Sequence, residues 1–252
     1  MESFMHSPMG DTNASSLPQK HLVIIPTYNE AVNIGIMLRE LLALAPAVDV
    51  LVVDDDSPDG TGDLVAKHPE FSRRVFLLKR PGKSGYAGAC KEGFRWGYDR
   101  GYDACGTMDA DRSHSPNDVA LLIAAVQQGA DIAIGSRYLG GIRIINWPLS
   151  RLLLSSFAGI YVRTLCGLPL TDPTSGFKMV SRKTLETVGF SRCTAEGYGF
   201  ITEFHFFAWR GGCRITEVPI IFTERQQGAS KMSKQIIFES AWTVLKLAAQ
   251  RL

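Results

Sequence analysis

The chain has 252 residues, 45% of them hydrophobic and 21% charged, an ordinary globular composition with enough material for the core of one large domain or one and a half. Twenty-seven basic against 25 acidic residues leave a net charge of +2, so no global basic field argues for nucleic acid, and any bound anion must be held by a local cluster. Its five cysteines (Cys90, Cys105, Cys166, Cys193, Cys213) are odd in number and scattered, with no C-x-x-C pair and no histidines at ligand spacing, which argues against a disulfide framework and predicts reduced core thiols in a cytosolic protein.

Met1 to Gln19 is rich in Ser, Pro, Met, Asn and Gly and lacks an apolar signal-peptide segment, which predicts a disordered tail. No window reaches about 18 uninterrupted apolar residues, so any membrane role is expected to be peripheral. His21 to Pro26 is apolar without alternation, as in a strand buried on both faces of a parallel sheet. Asn29 is the expected N-cap of a helix carrying Val32, Ile34, Met37, Leu38, Leu41 and Leu42 and stopping at Pro46. The pattern repeats in Val48 to Val53, which breaks into the acidic turn Asp54 to Thr61 and a helix over Thr61 to Lys67. Arg74 to Leu78 is the third strand, and the Gly-rich run Pro81 to Ala89 leads into a helix ending near Arg100. A fourth strand runs from Cys105 into Asp109-Ala110-Asp111; a helix over Asn117 to Gln127 stops at Gly129, and Asp131 to Ile134 is a fifth strand closed by Gly135-Ser136-Arg137-Tyr138. Five such β-then-α units predict a parallel, doubly wound sheet with right-handed crossovers.

After Gly141 the rhythm changes. Asn146 to Cys166 reads as a long helix with Trp147, Leu152, Leu153, Phe157 and Ile160 on its apolar side. A turn-rich stretch, Leu168 to Val180, ends in a strand, followed by helices near Arg182 to Val188 and Phe200 to Trp209. Arg214 to Ile221 is expected to pair antiparallel at the sheet edge. Ser233 to Leu252 reads as an amphipathic helix with Ile236, Ile237, Ala241, Val244, Leu245 and Ala248 on one face.

The acids fall at strand ends: Glu30 after the first, Asp54 to Asp56 after the second, Asp109 and Asp111 after the fourth. Strand ends of a parallel sheet share one edge, so these carboxylates converge where open α/β sheets bind ligands. Two carboxylates one residue apart in a crevice repel each other unless a cation relieves them, which points to a divalent metal carrying a phosphorylated ligand. Helix caps in polar loops are the plainer alternative. No G-x-G-x-x-G follows the first strand and no P-loop occurs. The turn Lys83-Ser84-Gly85 with Gly88 is expected to serve close packing. Arg225 to Lys231 is a Gly-containing loop with a cation at each end, suited to neutralising a diphosphate. His114 is a metal ligand, ligand contact, cap or surface residue, and His205 a packed helix residue.

Six stretches taken together resemble one family. Pro26-Thr27-Tyr28-Asn29-Glu30, Val53 to Thr61, Met108-Asp109-Ala110-Asp111 with Ser113-His114, Gly135-Ser136-Arg137-Tyr138, Asp172-Pro173-Thr174-Ser175-Gly176-Phe177 and Arg225 to Lys231 stand in the order of the motifs of dolichol-phosphate mannose synthases. These are polyprenyl-phosphate mannosyltransferases of the inverting GT-A family 2 class, and the resemblance covers roughly Leu22 to Lys231. It implies an α/β fold of GT-A (Rossmann-like) type, with a mainly parallel sheet flanked by helices and a C-terminal amphipathic helix. It further implies transfer of mannose from GDP-mannose to a polyprenyl phosphate lipid, with Mg²⁺ or Mn²⁺ as cofactor.

By motif match, Pro26, Tyr28, Glu30, Val53 and Asp55 would hold guanosine and ribose. Asp109, Ala110 and Asp111 would hold sugar and metal, Asp111 being the expected metal ligand, and Arg137, Arg225 and Lys231 would contact phosphates, so that Asp109, Asp111 and Arg137 form the catalytic set. Arg112, where the family has an apolar residue, either points away or contacts a phosphate. The expected organisation is a tail over 1–19, a catalytic domain over 20–231 and an amphipathic helix over 232–252 at the cytoplasmic face of a membrane, lying on the bilayer or docked on a membrane-anchoring partner. Another donor such as UDP-glucose, or a non-catalytic nucleotide-sugar-binding subunit, are the rival expectations.

Overall fold

The computed structural model describes residues 19–44, 47–82, 85–189, 191–224 and 234–250. The expected tail except Gln19, the stop at Pro46 and the whole Arg225 to Lys231 loop therefore lie outside the described residues. The predicted alternation is present as β1 (His21–Thr27), α1 (Ala31–Leu42), β2 (Asp49–Asp54), α2 (Thr61–Ala66), β3 (Val75–Lys79), α3 (Tyr86–Asp99), β4 (Ala104–Thr107), α4 (Asp118–Gln127) and β5 (Ile132–Ser136). There follow β6 (Ile144–Ile145), α5 (Leu149–Cys166), β7 (Lys178–Ser181), α6 (Arg182–Val188), α7 (Gly199–Arg210), β8 (Ile215–Pro219), β9 (Phe222–Thr223) and α8 (Lys234–Ala249).

The main sheet has the order β3-β2-β1-β4-β7-β5-β8, and β6 pairs with β9 apart from it. Side chains alternate across it: Leu22, Ile24, Leu51 and Val53 enter one core, Val23, Ile25, Val50 and Val52 the other. On α3, a Cβ at Gly93 would meet Ile24 Cγ2 at 2.5 Å and one at Gly97 would meet Cys105 Sγ at 2.5 Å, so these two glycines let the helix lie directly on β1 and β4.

One expectation about strand direction needs correction. The sheet is mainly parallel, but β7 is antiparallel to both β4 and β5, while β8 runs parallel to β5 rather than antiparallel to it. The cause lies in the connections. After α5 the chain returns at the carboxyl edge, where Ser175 Oγ donates to Gly135 O (2.6 Å) and Thr107 Oγ1 to Gly176 O (2.6 Å), so β7 starts there and runs backwards. It leaves at the amino edge, and α6 and α7 deliver the chain there again: the amides of Asp131 and Ile132 donate to Arg214 O at the foot of β8.

Helix ends also differ from expectation. Asn29 adopts φ 58° and is not the N-cap of α1, which is Glu30; the Ala31 amide is taken by Asp59 Oδ2 at 2.9 Å, from the acidic turn after β2. In α8, Val244 and Leu247 are buried in the core, while Phe238, Trp242 and Leu245 are exposed. The single predicted face is thus two faces, because the helix packs on the body with one side only. In α5, likewise, Leu153, Phe157 and Ile160 of the expected apolar side face outward, and Gly159, Val162 and Cys166 are buried. All five cysteines are buried thiols outside any disulfide, as expected of core thiols.

Candidate functional site

At the carboxyl edge the loops after β1, β2 and β4 meet. Pro26, Tyr28, Glu30, Asp55, Asp109, Ala110 and Asp111 line one cavity of about 110 Å³, four of them carboxylates. The convergence of acids expected from strand ends is therefore present in the structure. Each acid is set differently. Glu30 accepts from Asn33 Nδ2 (3.0 Å) through Oε2. Asp55 is buried and clamped, Oδ1 by Arg80 Nη1 and Oδ2 by the Gly85 amide at 3.1 Å. Arg80 is itself anchored on Glu92 at 2.9 Å.

Asp54 is no wall of this cavity. Thr27 Oγ1 and the hydroxyl and amide of Ser57 donate to it, so it fixes the turn. Val53 is also absent from the wall: it is buried within β2, and its carbonyl accepts from Thr27 Oγ1 at 3.4 Å. Gly85, expected to serve packing only, does line the cavity, whereas a Cβ at Gly88 would collide with the Arg80 guanidinium. Lys83 and Ser84 lie outside the described residues.

A second, larger cleft of about 500 Å³ opens beside the first between α5, α7 and α8. Its walls are largely aliphatic and aromatic, among them Leu154, Phe157, Val162, Ile201 and Ile237. Of the described residues, Tyr86, Asp109, Asp111 and Tyr198 line both cavities. Arg137 lines the cleft with its fork taken by Asp172: Nε to Oδ2 and Nη2 to Oδ1, each 2.7 Å, with Thr174 Oγ1 a further acceptor at 3.0 Å. Burial lowers its pKa, but the Asp172 carboxylate outweighs this and leaves it raised. Arg151 lies over the Trp147 ring, 4.1 Å from its centre, and pairs with Glu224.

His114 is neither a cap nor a surface residue. It stacks on Phe177 with ring centres 4.7 Å apart and meets Phe222 edge-on at 5.0 Å, in the wall of the cleft. Burial pushes its imidazole pKa down to about 4, and burial likewise lowers those of His21 and His205. His205, packed in α7 as expected, has its Nδ1 2.9 Å from Pro173 O. The folded chain thus refuses protons that the unfolded chain accepts near pH 6.5. Stability is expected to fall as pH drops from about 6.5 toward about 4. Denaturant titrations at pH 7 and pH 5 check this, and His114→Gln should shrink the difference between them.

Arg112 points away from the site. It adopts φ 62° and pairs with Glu40 of α1 at 3.7 Å, which answers the two-way expectation for it. Tyr86, Tyr198 and Lys178 escaped the sequence reading, and Trp147 entered it only as part of the apolar side of a helix. Lys178 carried a signal: a cation in the apolar strand Gly-Phe-Lys-Met-Val. It is fully buried, and burial lowers its ammonium pKa to about 8 against the opposing charges of Cys90 and Asp109. Among the described residues no group of three or more His, Cys, Asp or Glu side chains forms a cation cage.

Comparison with known proteins supplies the context. The sequence model described as Glycosyl transferase family 2 matches residues 22–189. The undecaprenyl-phosphate mannosyltransferase of Micrococcus luteus is 44% identical over 225 residues, covering 89% of this chain and 92% of that protein. The polyprenol monophosphomannose synthase of Mycolicibacterium smegmatis is 42% identical over 240 residues, covering 93% and 89%. Among solved structures, mannosyl-3-phosphoglycerate synthase from Rubrobacter xylanophilus superposes with TM-score 0.64 at 19% identity, over 93% of this chain and 74% of that one. Glucosyl-3-phosphoglycerate synthase from Mycobacterium tuberculosis, in complex with Mn²⁺, UDP and glucosyl-3-phosphoglycerate, does so with TM-score 0.64 at 18% identity, over 93% and 80%. At these identities the structural likeness establishes the fold.

Proposed function

The chain belongs to glycosyl transferase family 2 and is a glycosyltransferase, and from this we propose that it transfers mannose from GDP-mannose to a polyprenyl monophosphate with inversion, releasing GDP. The observation that carries the reading is the meeting of a cavity walled by four carboxylates with a largely apolar cleft at Asp109 and Asp111. A nucleotide sugar suits the first and a lipid phosphate the second, and the cleft volume is within the roughly 300–1,000 Å³ of small-molecule sites. The two mannosyltransferase relatives named above support both halves of the assignment.

In this reading Pro26, Tyr28, Glu30 and Asp55 hold the guanosine and ribose, and Val53, buried in β2, serves only by holding the strand from whose end Asp55 projects. Asp109 and Ala110 orient the sugar. The residues fit a divalent cation: Asp111, in the wall of both cavities and beside Asp109, offers a hard carboxylate oxygen of the kind such ions take. Bound there with diphosphate oxygens as its other ligands, Mg²⁺ or Mn²⁺ would neutralise charge on the departing GDP. Arg137 lies in the cleft wall beside the acceptor phosphate, and Arg225 and Lys231, outside the described residues, complete the phosphate contacts. A phosphate oxygen of the acceptor attacks the anomeric carbon, and the bond to the β-phosphate oxygen breaks with its electron pair leaving on GDP. The nucleophile is already an anion at neutral pH, so no side chain has to accept a proton.

The acceptor is a lipid, and the outer sides of α5 and α8 suit it. Leu149, Leu153 and Phe157 on α5 and Phe238 and Trp242 on α8 are exposed, the last two at 76% and 60%. Among the described residues no helix is long and apolar enough to cross a membrane. With those exposed rings on α5 and α8, we place the catalytic unit peripherally at the cytoplasmic face of a membrane, by lipid contact or through a membrane-anchoring partner. Deleting α8 is a poor test, because Val244 and Leu247 belong to the core. The double change Phe238→Glu and Trp242→Glu removes the exposed rings alone. It is expected to lower vesicle co-sedimentation at least about tenfold while leaving transfer to a detergent-solubilised short-chain acceptor unchanged.

The deciding experiment for the function is transfer of labelled mannose from GDP-mannose to defined polyprenyl phosphates, with UDP-glucose as competitor and with and without EDTA. Transfer that EDTA abolishes and Mn²⁺ or Mg²⁺ restores is expected. Preference for the uridine nucleotide, or binding of GDP-mannose without turnover, would overturn it.

A further inference from the structure

The four side chains shared by the two cavities divide by chemistry. Asp109 and Asp111 are carboxylates; Tyr86 and Tyr198 are phenol rings stacked on each other, with centres 5.0 Å apart and planes 13° from parallel. Tyr86 opens α3, and Tyr198 is the N-cap of α7. Their association is enforced from outside the pair. The Ala87 amide donates to Glu196 O at 3.2 Å, tying the start of α3 to the turn before Tyr198. Glu239 Oε1 on α8 accepts from the amides of Glu196 (3.3 Å) and Gly197 (3.0 Å). The turn packs so closely on α8 that a Cβ at Gly197 would lie 2.5 Å from Glu239 Oε2. Burial raises the Tyr86 phenol well above its usual pKa, so that ring stays neutral through the physiological range.

A hexose passing from a nucleotide in the acid-lined cavity to an acceptor in the apolar cleft must lie at the boundary between them. Its hydroxyls need hydrogen-bond acceptors, which the two aspartates supply, and its C–H faces need apolar surface, which aromatic carbon supplies. On the donor and acceptor assignment made above, we propose that the Tyr86–Tyr198 pair is the wall against which the transferred hexose packs, and that it thereby positions the sugar and discriminates among hexoses. Glu239 is then a positioning residue acting through Tyr198, on the same helix that carries the exposed Phe238 and Trp242.

GDP, which lacks the hexose, separates this role from nucleotide binding. With the full chain and Mn²⁺, calorimetric titration of Tyr198→Ala should leave the Kd for GDP within about twofold of wild type and weaken GDP-mannose about tenfold. The kcat for transfer should fall, and the preference for GDP-mannose over GDP-glucose should shrink. Tyr198→Phe keeps the ring and should restore all of these values. If Tyr198→Ala does not fold, Tyr198→Leu and Tyr86→Leu, which keep apolar bulk without an aromatic face, must show the same split. Unchanged GDP-mannose affinity, kcat and hexose preference in a folded variant would overturn the assignment, as would equal weakening of GDP and GDP-mannose. A wild-type chain that transfers no hexose from any nucleotide sugar would instead overturn the functional reading on which it rests.

Discussion

Asp111→Asn is expected to lower kcat for mannosyl transfer roughly 10²- to 10³-fold at saturating Mn²⁺, with Tm within about 2 °C of wild type. The change is nearly isosteric. Asp111 is buried, 7% exposed, and its Oδ1 accepts from the Ser113 amide at 3.1 Å, a bond that an asparagine oxygen can still accept. What is lost is one negative charge at the boundary of the two cavities. Asp111 would lend that charge to a divalent cation bound there, whose chemistry would be to stabilise the departing diphosphate mainly in the transition state. Asp109→Asn separates the two acids: it should raise KM for GDP-mannose while leaving the metal titration curve in place. Initial rates across a Mn²⁺ series measure both, and a wild-type rate from Asp111→Asn would defeat the metal assignment.

The legibility of these acids in the sequence has a simple cause. Strand ends are visible because a buried parallel strand has no polar positions until it leaves the sheet, so Glu30, Asp55, Asp109 and Asp111 mark themselves by following apolar runs. Direction is not marked in this way. Lys178 to Ser181 is as short and as buried as a parallel strand, and nothing within it says that it runs antiparallel between β4 and β5. That follows from where the Asp172 to Gly176 turn is pinned, through hydrogen bonds spanning 35 to 69 residues. The helices hid their second faces for a related reason. A periodicity reading assigns one apolar side to α8, and only the packed body shows that Val244 and Leu247 face in while Trp242 and Leu245 face out.

The tyrosines were illegible for another reason. Tyr86 and Tyr198 are 112 positions apart, and an isolated tyrosine in a Gly-rich segment carries no pattern; their meaning arises when Ala87 and Glu196 bring the two loops together. Arg137 was visible as a cation in a strand-end motif, but its partner was not. The motif Asp172-Pro173-Thr174-Ser175-Gly176-Phe177 and the motif Gly135-Ser136-Arg137-Tyr138 turn out to be two halves of one structure. An arginine assigned to phosphates by sequence is thereby first an anchor for the loop that shapes the cleft.

Asp172→Ala is accordingly expected to have the largest effect on stability, about 3–5 kcal/mol, a fall in Tm of about 10 °C. Asp172 is 1% exposed, and it takes both the backbone amide and the bidentate fork of Arg137. Removing it leaves a guanidinium buried without its counter-charge, and the cost of that exceeds the value of the pair itself. The turn is also held by Glu217 of β8, whose carboxylate accepts from the amides of Thr171 (2.7 Å) and Asp172 (2.8 Å), so the backbone stays in place and the penalty falls on the charge. Replacing both partners, Arg137→Met with Asp172→Leu, tests this directly. If the pair served stability alone, the apolar double variant would recover stability and transfer together. With Arg137 in the wall of the acceptor cleft, it should recover most of the stability while transfer remains at least about tenfold below wild type. Urea midpoints for the two variants and wild type, read beside initial transfer rates, distinguish the cases; an unchanged midpoint in Asp172→Ala would show that this arginine finds another partner when the carboxylate is gone.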